Sequence, residues 1–178
     1  MRCFISIDMP QKVQHEIKKL EKKLPEFKGN FTRYDNLHLT LKFLGDGITG
    51  EQIEEIKKRL KDIEIKDFEV RIDEIGVFTE EHIKIIWLHL AGESLLDLQK
   101  KIDNKLKDMF KKEERFMSHV TIARVNFVED REKFLEALKK VKIKNINFVV
   151  NKFKLMKSEL TSAGPEYKVV EEFSLETP

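Results

Sequence analysis

A chain of 178 residues with 40% hydrophobic and 37% charged side chains is long enough to bury one substantial core and too apolar to be disordered. Lys and Arg number 34 against 32 Asp and Glu, a formal net charge of +2, which excludes a global polyanion-binding field and leaves any nucleic-acid contact to a local patch. The single cysteine, Cys3, excludes an intramolecular disulfide, and its place in an apolar run makes it a buried thiol of a cytoplasmic protein.

Cys3, Ile5 and Ile7 alternate before Asp8 and Pro10, which predicts a short opening strand followed by a helix start. The opening run is too short and too soon polar for a signal peptide, and no later run approaches the roughly 18 apolar residues of a membrane span. Val13, Ile17, Leu20 and Leu24 form one helical stripe, ended by Pro25 and Gly29. His38 to Leu44 is a strand closing on Gly45-Asp46-Gly47. Ile53, Ile56, Leu60 and Ile63 then predict a second helix capped by Thr49. Phe68, Val70 and Ile72 alternate as a strand whose phase shifts near Ile75-Gly76-Val77, where a bulge is expected. Ile83 to Leu90 reads as a strand, and Leu95, Leu98, Ile102, Leu106 and Met109 as a helical stripe. A strand at His119, a helix capped by Asp130 and carrying Phe134 and Leu138, and a strand from Ile146 follow. A turn at Ser162-Ala163-Gly164-Pro165 leads into a last strand, Tyr167 to Leu175.

The order strand, helix, histidine strand, helix, strand therefore occurs twice, at a constant offset of 81 residues. We expect an internal duplication, with repeats over roughly 1–78 and 83–160, in a single two-lobed domain spanning 1–178. The expected fold class is α+β: two pseudo-symmetric lobes of mainly antiparallel sheet, helices on the outer faces and a central cleft.

The duplication aligns His38-Leu39-Thr40-Leu41 with His119-Val120-Thr121-Ile122. Strand side chains alternate faces, so His38 and Thr40 share one face while Leu37, Leu39 and Leu41 share the other; the same holds for His119 and Thr121. A pseudo-two-fold would bring both pairs to one cleft. With an unperturbed pKa of about 6.5, one imidazole can act as base and another as acid near neutrality. That suits in-line displacement at phosphorus, one histidine activating the nucleophile and the other protonating the leaving oxygen, with threonine hydroxyls on the phosphate oxygens. No metal is then required.

On these residues the chain resembles the two-histidine phosphoesterases, and within them the RNA 2′,3′-cyclic phosphodiesterase or 2′-5′ RNA ligase family. The resemblance rests on Arg2 to Pro10, His38 to Gly45, His119 to Arg124, and Ser158-Glu159-Leu160 with Gly164, Pro165 and Tyr167. It implies hydrolysis of a terminal RNA 2′,3′-cyclic phosphate, as on tRNA halves, to a 2′-phosphate. It also implies reversible 2′-5′ ligation, no cofactor, His38 as proton donor, His119 as proton acceptor, and Arg124 as a phosphate contact. Arg124, however, lies an odd number of positions from His119, so a regular strand turns it to the opposite face; only a bulge or a strand end brings it round. The chain is expected to be a monomer, and its abundance of Lys and Glu points to a thermophilic source.

Other candidates have plainer readings. His15 and His82 read as solvated and His89 as structural; a site of His38, His89 and His119 lacks metal-ligand spacing. The lysine pairs read as solvated helix faces. Phe43 and Trp87 could stack on bases, but core packing explains both more simply. Two alternatives remain beside the RNA enzyme: a binding module that keeps the cleft without turnover, and a phosphodiesterase of small cyclic phosphates.

Overall fold

A computed structural model describes residues 1–176. The strands are β1 (Arg2–Asp8), β2 (Lys28–Phe31), β3 (His38–Gly45), β4 (Phe68–Val77), β5 (Ile85–Ala91), β6 (His119–Phe127), β7 (Ile146–Val150), β8 (Lys152–Thr161) and β9 (Gly164–Ser174). The helices are α1 (Gln11–Glu21), α2 (Gly50–Leu60), α3 (Glu93–Lys105) and α4 (Arg131–Lys139). The architecture is α+β, a curled antiparallel sheet with four helices against it. Among the described residues, no helix is long and apolar enough to cross a membrane.

The strand order β7-β4-β5-β6-β3-β1-β8-β9 reads as two four-stranded arms joined between β6 and β3. That joint is a single residue pair, Leu39 with Val120, so the arms splay apart beyond it and leave a cleft. Each arm contains a strand from the other half of the chain: β4 lies in the arm of β5 and β6, and β8 in the arm of β1 and β3. Opening one arm therefore disturbs both halves of the sequence.

The apolar side of the period-two pattern packs inward. Leu37, Leu39 and Leu41 are buried with Val120 and Ile122 and with the stripes of α1 and α3, in one cluster. Fully burying a Leu or Ile side chain contributes about 1.5–3 kcal/mol, so this cluster dominates what holds the arms together. Helix starts follow the expected chemistry. Thr49 and Gln52 form a reciprocal capping box on α2, and Asp130 accepts the Lys133 amide at the start of α4.

Three expectations change. The irregularity in β4 lies between Ile72 and Glu74 rather than at Ile75-Gly76-Val77. Gly76 has a different use: a Cβ there would come within 2.7 Å of the Trp87 ring, so the missing side chain is the space into which the indole packs. The first helix stops at Glu21 and the third at Lys105, short of Leu24 and Met109. Gly29 ends no helix but lies inside β2, which the apolar pattern does not announce because all four of its residues are exposed.

Candidate active site: two histidine strands around one cleft

The cleft is a cavity of about 630 Å³ lined by His38, Thr40, His119, Thr121 and Arg124 together with aromatic and cationic neighbours. A larger hollow, about 770 Å³, lies between β1, α1, β7 and β8 and holds none of the motif residues. Register explains the convergence. Since Leu39 pairs with Val120, His38 lies across from Thr121 and Thr40 across from His119, so the two histidines are diagonal neighbours. The two imidazoles thus flank the joint and share one cavity.

The two rings are held alike. His38 Nδ1 lies 2.6 Å from the Asn36 carbonyl and His119 Nδ1 2.8 Å from the Met117 carbonyl, in each case two residues back along the chain. A carbonyl only accepts, so each Nδ1 donates, which leaves Nε2 as the atom that gains or loses a proton. His38 Nε2 sits 3.1 Å from Thr40 Oγ1. An aromatic edge buttresses each ring: Tyr167 against His38 at 5.2 Å and Phe78 against His119 at 5.0 Å, both T-shaped. Phe4 packs on the remaining side of His38 at 5.0 Å. Burial pushes the His38 pKa below its ordinary value, helped by His119; the bond to Asn36 and the charge of Asp8 pull the other way.

Each histidine strand carries a bulge immediately past its threonine. In β3, Thr40 pairs with Ser6 and Lys42 with Ile5, which leaves Leu41 as the extra residue. In β6, Thr121 pairs with Trp87 and Ala123 with Ile86, which leaves Ile122 extra. The bulge reverses the alternation, so Lys42 and Ala123 turn to the core while Phe43 and Arg124 turn to the cleft. β2 fastens the β6 bulge. Asn30 pairs with Arg124, the Thr32 amide donates to the Ile122 carbonyl and Thr32 Oγ1 to the Thr121 carbonyl, both at 2.9 Å. A Cβ on Gly29 would lie 2.1 Å from the Arg124 carbonyl oxygen, so only glycine allows this approach.

The model of the 2′-5′ RNA ligase superfamily matches residues 9–161, a span that takes in both histidine strands and both bulges. The chain belongs to this superfamily. A Methanocaldococcus jannaschii protein named RNA 2′,3′-cyclic phosphodiesterase is 34% identical over 177 residues, 97% of this chain and 100% of its own. A Thermotoga maritima protein of the same name is 32% identical, covering 99% and 96%. The crystal structure of TT0787 of Thermus thermophilus superposes with a TM-score of 0.83 at 25% identity over 99% of each chain.

In this superfamily member the five residues singled out from sequence, His38, Thr40, His119, Thr121 and Arg124, all line one cavity. The bulge in β6 removes the parity obstacle at Arg124. Phe43 departs from the core-packing expectation: it is 49% exposed, lines the cleft, and has the Arg2 guanidinium 4.6 Å from its ring centre. Trp87 keeps that expectation and is buried. His15 and His82 are exposed, and His89 is bonded to Asp73 at 2.7 Å. Sequence reasoning passed over Arg2, Arg33, Asn36 and Phe4, which line the cavity. For Arg2 and Phe4 the signal is parity with Ser6 on a strand next to β3; for Arg33 and Asn36, adjacency to the motif.

Proposed function

We propose that this protein is an RNA 2′,3′-cyclic phosphodiesterase that opens a terminal cyclic phosphate to a 2′-phosphate by two-histidine acid–base catalysis. The observation that carries the reading is the paired tethering of the rings. Two imidazoles with Nδ1 committed to backbone carbonyls share one cavity, so both reactive nitrogens belong to the same cleft. The family and the names of its relatives support a cyclic-phosphate RNA end as the substrate.

In the step we infer, His119 Nε2 takes a proton from water as the water oxygen bonds to phosphorus. The bond from phosphorus to the 3′ oxygen breaks, and His38 Nε2 gives its proton to that oxygen. The product carries a 2′-phosphate and a 3′-hydroxyl; exchange with solvent restores both imidazoles. A 5′-hydroxyl in place of water yields a 2′-5′ linkage by the same motions, and the reverse reaction regenerates the cyclic end. Thr40 and Thr121 donate to non-bridging oxygens, where negative charge accumulates, and Arg124 adds a guanidinium matched to phosphate geometry. His38 enters with its pKa lowered by burial, which makes its protonated form a stronger acid, while the negative charge of the bound diester favours holding that proton.

We further infer a single two-lobed unit arising from duplication, acting as a monomer in the cytosol on RNA ends such as tRNA halves. The test is end-group analysis of a short RNA bearing a 2′,3′-cyclic phosphate, incubated with the protein in EDTA. The expected product is a 2′-phosphate. Turnover that vanishes with chelation and returns with a divalent ion would overturn the two-histidine route, and binding without turnover would make the protein a binding module.

A further inference from the structure

Residues directly opposite one another in an antiparallel ladder share a face, with Cβ atoms about 4.5–5.5 Å apart. Across from His38 on β1 stands Asp8; across from His119 on β5 stands His89. Positions 8 and 89 are separated by the same 81 residues as the two motif histidines. Each is tied to a partner of opposite type on the next strand out. Lys154 Nζ of β8 lies 2.6 Å from Asp8, and Asp73 of β4 lies 2.7 Å from His89 Nδ1. The backbone thus places equivalent neighbours beside the two catalytic candidates, and the sequence puts a carboxylate beside one and an imidazole beside the other.

That difference has a definite sign. A carboxylate facing an imidazole stabilises its protonated form, whereas a second imidazole supplies no negative charge and, once protonated, repels another proton. His38 is the more in need of such help, because burial disfavours its charged form, and Asp8 acts against that burial. The other charged or titratable groups around His38 are His119, Tyr167, Arg2, Arg33 and Arg124 of the cavity, with Lys154 beyond Asp8. Among the described residues that line the cavity, none is a carboxylate. Around His119 stand His38 and Arg124, with Asp73 bonded to His89 and Glu74 paired with His89 on its far side. We propose that Asp8 is a positioning residue that keeps His38 the proton-holding member of the pair, and that His89 keeps His119 the proton-accepting member. This rests on the two-histidine reading above and adds what separates the two roles.

The experiment follows both histidine C–H resonances by NMR titration of the free protein and, in parallel, the pH profile of kcat/KM on a cyclic-phosphate RNA end. In Asp8→Asn, His38 should titrate about 0.5–1 pH unit lower and the basic limb of the profile should move with it, while His119 and the acidic limb stay. Asp8→Glu should restore both. In the mirror substitution His89→Asp, His119 should titrate higher and the acidic limb should follow. An unmoved His38 in Asp8→Asn, equal movement of both histidines, or a loss of activity by one factor at every pH would overturn the proposal and leave Asp8 a structural ion-pair partner. The titrations need no turnover. A protein inactive on RNA at every pH defeats the functional reading, and the movement of the two resonances then decides the charge pairing alone.

Discussion

Strands β3 and β6 are the same device up to the threonine and different devices after it. Both run histidine, apolar, threonine, apolar; both anchor Nδ1 to a carbonyl two residues earlier, rest the ring against an aromatic edge, and bulge at the same place. Past the bulge, β3 sends Lys42 inward and Phe43 to the cleft, whereas β6 sends Ala123 inward and Arg124 to the cleft. On the proposed function, backbone geometry would carry the chemistry common to both ends of a phosphoryl transfer. The side chains after the bulge give one wall a flat aromatic surface and the other a guanidinium, which on the proposed function would suit a substrate with a base on one side and a phosphate on the other.

The common part is broken most severely at the rings. His38→Ala and His119→Ala should each lower kcat on a cyclic-phosphate end by about 10²–10⁴-fold, far more than any loss of folded protein that thermal melting reads at the assay temperature. If the two rings act as acid and base in one step, the double variant should lose less than the product of the two single losses. Full activity in either single variant would mean that the strands are not functional equivalents.

The inward half of the difference is tested by stability. Lys42 is 3% exposed and donates to Asp103 at 2.5 Å and to the Lys111 carbonyl at 2.7 Å; Asp103 also accepts from Gln99 and from the Glu113 amide. Burial pushes the Asp103 pKa up, yet these bonds outweigh it and hold the carboxyl below its ordinary range. Asp103→Ala leaves the lysine charge buried without its counter-ion and should cost about 3–5 kcal/mol, read as a lower urea midpoint. Joint replacement, Lys42→Met with Asp103→Leu, should recover most of it. The matching position on β6 is Ala123, which carries no charge; β2 braces that bulge instead, through the Thr32 amide and hydroxyl on the Ile122 and Thr121 carbonyls. Gly29→Ala, which drives a methyl into the Arg124 carbonyl, is the corresponding lesion there.

The outward half is tested by kinetics. Arg124→Gln should cost about 1.5–3 kcal/mol of transition-state stabilisation through a lost charge-assisted bond, seen in kcat/KM for mononucleotide and oligonucleotide ends alike. Phe43→Ala should instead raise KM by the worth of one stacking contact, about 1–3 kcal/mol, with kcat nearly retained. If the two variants behave the same way, the walls do not divide the substrate as their side chains suggest.

Much of this is legible in the sequence alone. Alternation gave the strands with a buried face except β8, which ran together with β7 as one strand from Ile146; the 3.6-residue stripes gave all four helices, and Thr49 and Asp130 cap where their chemistry says they should. Strand β2 could not be read at all, because an exposed ribbon has no apolar alternation and exists only where the edge of β6 accepts it. The bulges left only an indirect trace. Phe43 and Arg124 stand an odd number of residues from their histidines, and a period-two rule sends such residues to the wrong face; what reverses them is a ladder register that one strand's sequence does not contain. Asp8 and His89 were hidden for the same reason, being neighbours of the motif only across the sheet.

The smallest effect separates the resting molecule from the loaded one. His38 has a folded-state pKa below its value in the unfolded chain, chiefly because of burial, so between the two values the unfolded chain binds more protons. Stability supplied by the neutral ring is therefore fully present above the unfolded pKa of about 6.5 and is lost as pH falls through the lower folded value. Chemical denaturation of the free protein across that window should show a midpoint that declines toward acid, and His38→Asn should flatten the decline, since its side chain carries no proton to gain. Bound inorganic phosphate should flatten it too, by putting negative charge beside the ring. A steeper decline in His38→Asn would mean that the folded cleft favours the protonated ring even when empty, and that Asp8 outweighs burial before any substrate arrives.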